Sequence, residues 1–119
     1  MKRLAAALVL IAFPAAAEPD PAAGERLFKA QCGACHTIEA GKHRVGPSLA
    51  GIFGRKAGEI EGFRYSPANK NSGLVWDAVT LDPYLANPRA IIPGTTMTYA
   101  GLRNPAQRAD MIAYLQTLK

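Results

Sequence analysis

The spacing of apolar residues along the chain predicts a few helices and no strand. Residues 20–33 carry an apolar side, with Asp20 as the cap and a proline at the first helical position. A second helix is predicted over 80–87, with Thr80 as its cap and a proline as its stop. The last helix follows a cap at Asn104, and its apolar stripe comprises Met111, Ile112, Leu115 and Leu118. The pattern therefore indicates an all-α domain.

The stretch over 37–76 has no regular period, because glycine and proline interrupt it repeatedly. Only 66–69 predicts a short helical turn, and 91–99 predicts a turn-centred loop. Loops of this length are uncommon in a small domain. We therefore expect them to wrap the surface of a bound cofactor.

The first 17 residues have the features of a secretory signal peptide. Lys2 and Arg3 precede an apolar run over 4–13, and residues 15–17 are three alanines that suit a cleavage site. The run is shorter than the ~20 residues of a membrane-spanning helix, so we favour cleavage over the alternative of a retained N-terminal anchor. The mature domain is predicted to span 18–119 and to be a soluble monomer in the bacterial periplasm, with no permanent membrane anchor.

The candidate chemistry is concentrated in Cys32-Gly-Ala-Cys35-His36, which holds both cysteines and one of the two histidines. The C-x-x-C-H spacing is typical of c-type haem attachment, with two thioethers and one axial histidine. Two alternatives use fewer of these residues. A redox dithiol needs only C-x-x-C, and a metal site needs a fourth ligand from His43 or a carboxylate. A structural disulfide closing so short a loop would constrain the unfolded chain very little.

A haem iron held by His36 needs a ligand on its other face. Met1 belongs to the signal peptide and Met111 to the apolar stripe, whereas Met97 lies in a loop 61 residues after His36. We therefore predict Met97 as the sixth ligand. His43 follows His36 by only seven residues and is expected to bond loop backbone instead. With both axial positions filled, the iron has no open site for a substrate, which favours electron transfer over catalysis.

Taken together, these motifs give the chain a resemblance to class I cytochrome c of the mitochondrial type, including short periplasmic bacterial forms. The resemblance covers about 24–118 and implies a small single domain with crossing N- and C-terminal helices and long loops around one covalent haem c. It places Gly24 and Phe28 near Met111 and Tyr114. The matched segments are 32–37, 45–49, 54–56, 62–65, 68–71, 76, 84–88, 92–97 and 108–115.

The resemblance also implies three groups of haem-pocket residues. One is a carbonyl that accepts the second ring N–H of His36, the next binds or neutralises a haem propionate, and the last is a polar network on the Met97 side. Pro47 supplies the carbonyl. The residues at the propionate are Tyr65, Trp76 and Arg55. The polar network comprises Asn69, Tyr84 and Thr95. The alternative for the aromatic residues is a place in the apolar core.

Charge around the haem edge is thinner than the family pattern. Gln31 and Thr96 stand where lysines are common in the family. Removing Lys2 and Arg3 with the signal peptide takes the formal charge from +5 to +3, which is too low and dispersed for nucleic-acid binding. A basic rim that steers an acidic protein partner remains the hypothesis, against the alternative of ordinary solvated charges. Its candidates are Arg26, Lys42, Arg44, Arg89 and Arg103.

The sequence therefore predicts a one-electron carrier, not an enzyme, that shuttles between periplasmic respiratory or photosynthetic redox complexes. By resemblance, the donor is a cytochrome bc-type complex and the acceptor an oxidase, a reductase or a photosynthetic reaction centre. Two other functions stay open. One is a haem peroxidase-like enzyme with a labile sixth ligand, and the other is a thiol-redox protein.

Overall fold

The computed structural model describes residues 1–12 and 18–119. The predicted cleavage site over 15–17 lies outside the described residues. Residues 1–12 form no helix or strand and are exposed. Five helices occur in the described part of the chain: α1 (Pro21–Gln31), α2 (Pro67–Lys70), α3 (Ala78–Ala86), α4 (Pro88–Ile91) and α5 (Pro105–Gln116).

The helix starts follow the capping chemistry of the sequence. Asp20, Ser66 and Asn104 each accept a backbone N–H from the first turn of the helix that follows, and each is succeeded by a proline at the first helical position. These caps satisfy N–H groups that have no partner inside the helix. The predictions for α1, α2 and α5 are therefore confirmed, with α1 ending two residues earlier than expected.

The prediction for the start of α3 was wrong. Its cap is Asp77, whose carboxylate accepts the Thr80 N–H at 2.9 Å, while the Asp77 N–H donates to Thr80 Oγ1 at 3.0 Å. Thr80 is thus the third helical residue of a reciprocal capping box. Because threonine is also a common cap residue, the sequence alone made Thr80 look like the cap. The short helix α4 was also missed, because Pro88 stops α3 and then occupies the first position of a new turn.

The central packing contact is the crossing of α1 over α5, as the resemblance implied. Gly24 lies so close to α5 that a Cβ at this position would be 2.0 Å from the Asp110 carbonyl oxygen. Phe28 and Tyr114 pack with ring centroids 5.5 Å apart. Helix α3 packs on α5 as well, so α1, α3 and α5 form one wall of the core.

The loops over 37–76 pair mainly with one another. The Gly54 N–H donates to the Trp76 carbonyl at 2.6 Å, and the Ala57 N–H donates to the Leu74 carbonyl at 2.8 Å. An isolated antiparallel bridge joins Lys56 and Val75, and the described residues contain no strand. Across the same residues, no helix combines the length and apolar character needed to cross a membrane. The all-α prediction is confirmed.

Candidate functional site

A cavity of ≈ 320 Å³ lies between α1, α3, α5 and the loops, within the range of about 300–1,000 Å³ that is usual for small-molecule and cofactor sites. None of the described residues that line it carries a formal charge. Of the eleven residues predicted as haem attachment sites, iron ligands or pocket residues, ten line the cavity and Arg55 does not. The ten are Cys32, Cys35, His36, Met97, Pro47, Tyr65, Asn69, Trp76, Tyr84 and Thr95.

The cysteines and His36 lie on one turn that continues α1. The N–H groups of Cys35 and His36 both donate to the Cys32 carbonyl, at 3.1 and 2.9 Å. Both thiols are free and half-buried. Burial, with a smaller effect from Cys35, raises the pKa of the Cys32 thiol to about 11. A reactive dithiol needs a lowered thiol pKa, so the site does not favour the redox-dithiol alternative.

His36 is held by the loop that follows it. Its Nδ1 lies 2.7 Å from the Pro47 carbonyl and donates to it, which leaves Nε2 as the available lone pair. Burial lowers the pKa of His36 against the opposing effect of that bond, so the ring is kept in the neutral form that ligates metal. Gly46 lies across the ring, where a Cβ would be only 2.3 Å from His36 Cε1.

Met97 enters the cavity from the loop between α4 and α5. It is half-buried against the core, and the Tyr84 hydroxyl donates to its Sδ at 3.6 Å. Burial raises the pKa of Tyr84 to about 12, so the phenol remains a donor. Met111, only 1 % exposed, is a core residue of α5 as expected, although its side chain also touches the cavity wall.

Tyr65, Trp76 and Asn69, which were predicted to bind a propionate or to form the polar network, have different surroundings in the structure. Tyr65 lies in the cavity wall, and its hydroxyl accepts the Ile60 N–H at 3.3 Å. Burial raises the pKa of Tyr65, while the nearby Arg55 charge acts in the opposite sense. Trp76 packs against Tyr84 with ring centroids 4.5 Å apart. Asn69 Oδ1 is buried and has no hydrogen-bond partner among the described residues, so one polar wall of the cavity is incomplete without a ligand.

His43 does not line the cavity. Its Nδ1 accepts the Ser48 N–H at 3.0 Å, and its Nε2 donates to the Glu61 carbonyl at 3.0 Å. The expectation that it bonds loop backbone is confirmed. Among the described residues, no cluster of three or more His, Cys, Asp or Glu side chains could hold a metal ion.

The rim candidates lie outside the cavity wall. Arg26, Arg89 and Arg103 are exposed. Lys42 pairs with Glu39 at 2.7 Å. Arg44 donates to the Gly33 carbonyl at 2.6 Å, which fixes it beside the C-x-x-C turn.

Sequence reasoning missed several lining residues. Val45 lines the cavity while remaining 81 % exposed, and Phe63 packs between His43 and Tyr65. Tyr99 donates a hydrogen bond to Gln31 beside the first cysteine. Val45 and Phe63 fall in the matched segments 45–49 and 62–65, which gave them no specific role, and the signal for Tyr99 was its closeness in sequence to Met97.

Comparisons with known proteins agree with this geometry. The family model described as cytochrome c matches residues 21–119. A cytochrome c2 iso-2 of Magnetospirillum fulvum is 58% identical over 87 residues, which is 73% of this chain and 91% of the relative. A cytochrome c of Ginkgo biloba is 48% identical over 105 residues, covering 87% and 93%. A cytochrome c2 of Rhodomicrobium vannielii is 54% identical over 99 residues, covering 82% and 78%.

The cavity fits the covalent haem c of that family. It has two thiols on one turn, a neutral imidazole, a thioether and apolar walls, and it contains an unpaired buried amide oxygen at Asn69 that a bound group or its water could satisfy. The chain belongs to the cytochrome c family, whose members are electron-transfer proteins with covalently bound haem c and are not enzymes.

Proposed function

We propose that Cys32 and Cys35 bind the haem through thioethers, and that His36 and Met97 are the axial ligands of its iron. The observation that carries this proposal is that one uncharged cavity is lined by all four residues. Bound haem supplies an iron that gains or loses one electron.

The surrounding residues of this chain support that role because they orient the ligands and limit the access of water to the site. Pro47 sets the orientation and tautomer of His36. Tyr84 donates to the sulfur of Met97, which lowers the electron density on that thioether. The apolar, uncharged wall excludes water, so few dipoles have to reorient when the charge of the centre changes.

The remaining pocket residues are proposed to hold the polar edges of the group. Tyr65 and Trp76 would hydrogen-bond a propionate, and Arg55 would offset its charge from outside the wall. Asn69 and Thr95 would complete the polar network beside Met97. The unpaired Asn69 oxygen supports this assignment.

The ligand assignment is tested by optical spectra of the ferric protein. Met97→Ala should lose the methionine-to-iron charge-transfer band and bind cyanide quickly. Met111→Leu and His43→Gln are matched controls and should keep the band. Loss of the band in the Met111 variant, with the band retained in the Met97 variant, would contradict the assignment.

The peroxidase-like alternative receives no support from the relatives, which are described as cytochromes c and c2. It requires an open axial position. Rapid cyanide binding by the unmodified ferric protein, together with a missing charge-transfer band, would be its signature.

The protein is proposed to act in the periplasm after removal of residues 1–17. The basic start, the apolar run and the alanines over 15–17 support a cleaved signal peptide. N-terminal sequencing of the exported haem-containing protein should begin at Glu18. A chain that begins at Met1 and remains with the membrane fraction would establish the retained anchor instead.

The redox partners are proposed to be a cytochrome bc-type donor and an oxidase, reductase or reaction-centre acceptor. The exposed Arg26, Arg89 and Arg103 support steering toward an acidic surface, and Arg44 and Lys42 extend the same rim. Electron-transfer rates with an acidic partner should fall as salt rises. Arg89→Gln should weaken this salt dependence, whereas Lys56→Gln, outside the proposed rim, should not. A rate indifferent to salt would refute the rim.

A further inference from the structure

The segment that carries Met97 is weakly attached to the rest of the domain. Backbone hydrogen bonds hold the segment at its two ends. The Thr95 N–H donates to the Ile92 carbonyl at 3.1 Å, and the Leu102 N–H donates to the Leu85 carbonyl at 2.7 Å. Among the described residues, no backbone hydrogen bond joins 96–101 to any other element. Segments with few such bonds open locally at low free energy.

Only two side-chain hydrogen bonds connect this segment to other elements within the described structure. One runs from the Tyr84 hydroxyl to the Met97 sulfur. The other runs from the Tyr99 hydroxyl to the side-chain oxygen of Gln31. The second bond joins residues that are 68 positions apart in the chain.

The Gln31 to Tyr99 bond is exposed and joins the end of α1 to the segment that carries Met97. Gln31 is the last residue of α1 and directly precedes Cys32, while Tyr99 follows Met97 by two residues. Both side chains line the cavity.

The chemistry of position 31 makes this bond specific to a residue with an acceptor. The glutamine side chain offers a carbonyl oxygen, whereas a lysine side chain has donors only. A lysine at position 31 could not accept the Tyr99 hydrogen bond.

We propose that Gln31 and Tyr99 form a latch that holds the Met97 segment closed against the end of α1. Both act as positioning residues for Met97, and the proposal rests on Met97 being the iron ligand. Opening of the segment would withdraw Met97 from the cavity. The latch therefore lowers the population of the open state and slows the entry of competing small ligands.

The test uses the haem-loaded full chain in the ferric state, with cyanide as the entering ligand. Tyr99→Phe and Gln31→Ala each remove the bond while keeping the backbone, and each should speed cyanide binding about two- to tenfold, the effect of one net hydrogen bond of about 0.5–1.4 kcal/mol. The double variant should be no faster than either single variant, because both remove the same interaction.

Three further variants and one independent readout sharpen the test. Gln31→Lys should behave like Gln31→Ala, Gln31→Glu should restore slow binding because it keeps an acceptor oxygen, and Gln116→Ala is an exposed glutamine control. Hydrogen exchange of the Met97 amide, which bonds Thr95 Oγ1 at 3.2 Å, should accelerate with the loss of the latch. Exchange of the amides inside α5 should not change, since those require opening of the core.

The outcomes separate this proposal from the ligand assignment. Unchanged cyanide rates in both single variants, with the charge-transfer band present, would overturn the latch alone. Independent, multiplying effects in the double variant would also overturn it, because they would show two separate contributions. Absence of the band in the unmodified protein would refute Met97 ligation, and the latch as a device for positioning Met97 would fall with it.

Discussion

The crossing of α1 and α5 makes a sharp prediction at Gly24. An alanine at this position would place its Cβ 2.0 Å from the Asp110 carbonyl oxygen and 2.8 Å from Tyr114 Cβ. Real Cβ atoms essentially never approach closer than 3.0 Å, so the helices must separate by about 1 Å. The blocking atoms belong mostly to backbone, which cannot rotate away as a flexible side chain would.

The magnitude follows from the packing that this shift disturbs. A gap of about 0.5–1 Å forfeits a quarter to a half of the dispersion attraction between facing atoms, and the affected interface includes Phe28 and Tyr114. Overpacking costs about 1–3 kcal/mol, occasionally more, while alanine contributes about 1 kcal/mol of helix propensity over glycine. Because the clash is with backbone, we expect Gly24→Ala to lower the free energy of unfolding by about 2 kcal/mol.

Denaturation of the haem-loaded protein, followed by circular dichroism, measures this loss. A destabilisation of this size should lower Tm by about 8–16 °C in a domain of this length. Gly33→Ala is the matched control, since its Cβ would lie 3.4 Å from the nearest atom, an ordinary contact. Equal stability of the two variants would refute the close helix approach as the reason for glycine at position 24.

Three other substitutions test separate parts of the structure. Asp77→Ala should cost about 1 kcal/mol of unfolding free energy by removing the α3 cap, measurable by guanidinium denaturation; no loss would contradict the capping assignment. Burial raises the pKa of Tyr114 above its ordinary value of 10.0, so stability should fall as pH rises past that value, and Tyr114→Phe should reduce the fall in pH-dependent denaturation. Gly46→Ala should displace the His36 ring, lowering covalent haem yield on denaturing gels; an unchanged yield would contradict that contact.

Where the chain has a helical period, the sequence was sufficient to predict the fold. The caps at Asp20 and Asn104 and the apolar stripe of α5 could be predicted, because local hydrogen bonds determine the caps and one buried face determines the stripe. The α3 boundary was misjudged because Asp77 and Thr80 satisfy each other's backbone groups, and either residue type suits a cap. The residue types correctly indicated a helix start in this region, but they did not show that Asp77, and not Thr80, is the cap.

The site divides in a similar way. Cys32, Cys35 and His36 were singled out because their C-x-x-C-H spacing is typical of haem attachment, and Met97 was selected by excluding the other methionines. The structure brings all four residues to one cavity. Arg55 was expected with the pocket residues, yet it lies outside the cavity wall. Contacts such as Tyr99 with Gln31 join residues far apart in the chain, and no local pattern encodes the meeting of two loop positions.

The distribution of charge separates the cavity from the proposed basic rim. The cavity wall carries no formal charge among its described residues, and the basic candidates lie outside it. Exposed charges are screened beyond about 10 Å at 0.1 M salt, so they act mainly on encounters with partners. Hydrogen bonds such as that from Tyr84 to Met97 act inside a weakly polar interior, where electrostatic effects are stronger. The two effects can therefore be tested separately, because a charge change at Arg89 alters encounters with partners, whereas a change at Tyr84 alters the surroundings of Met97.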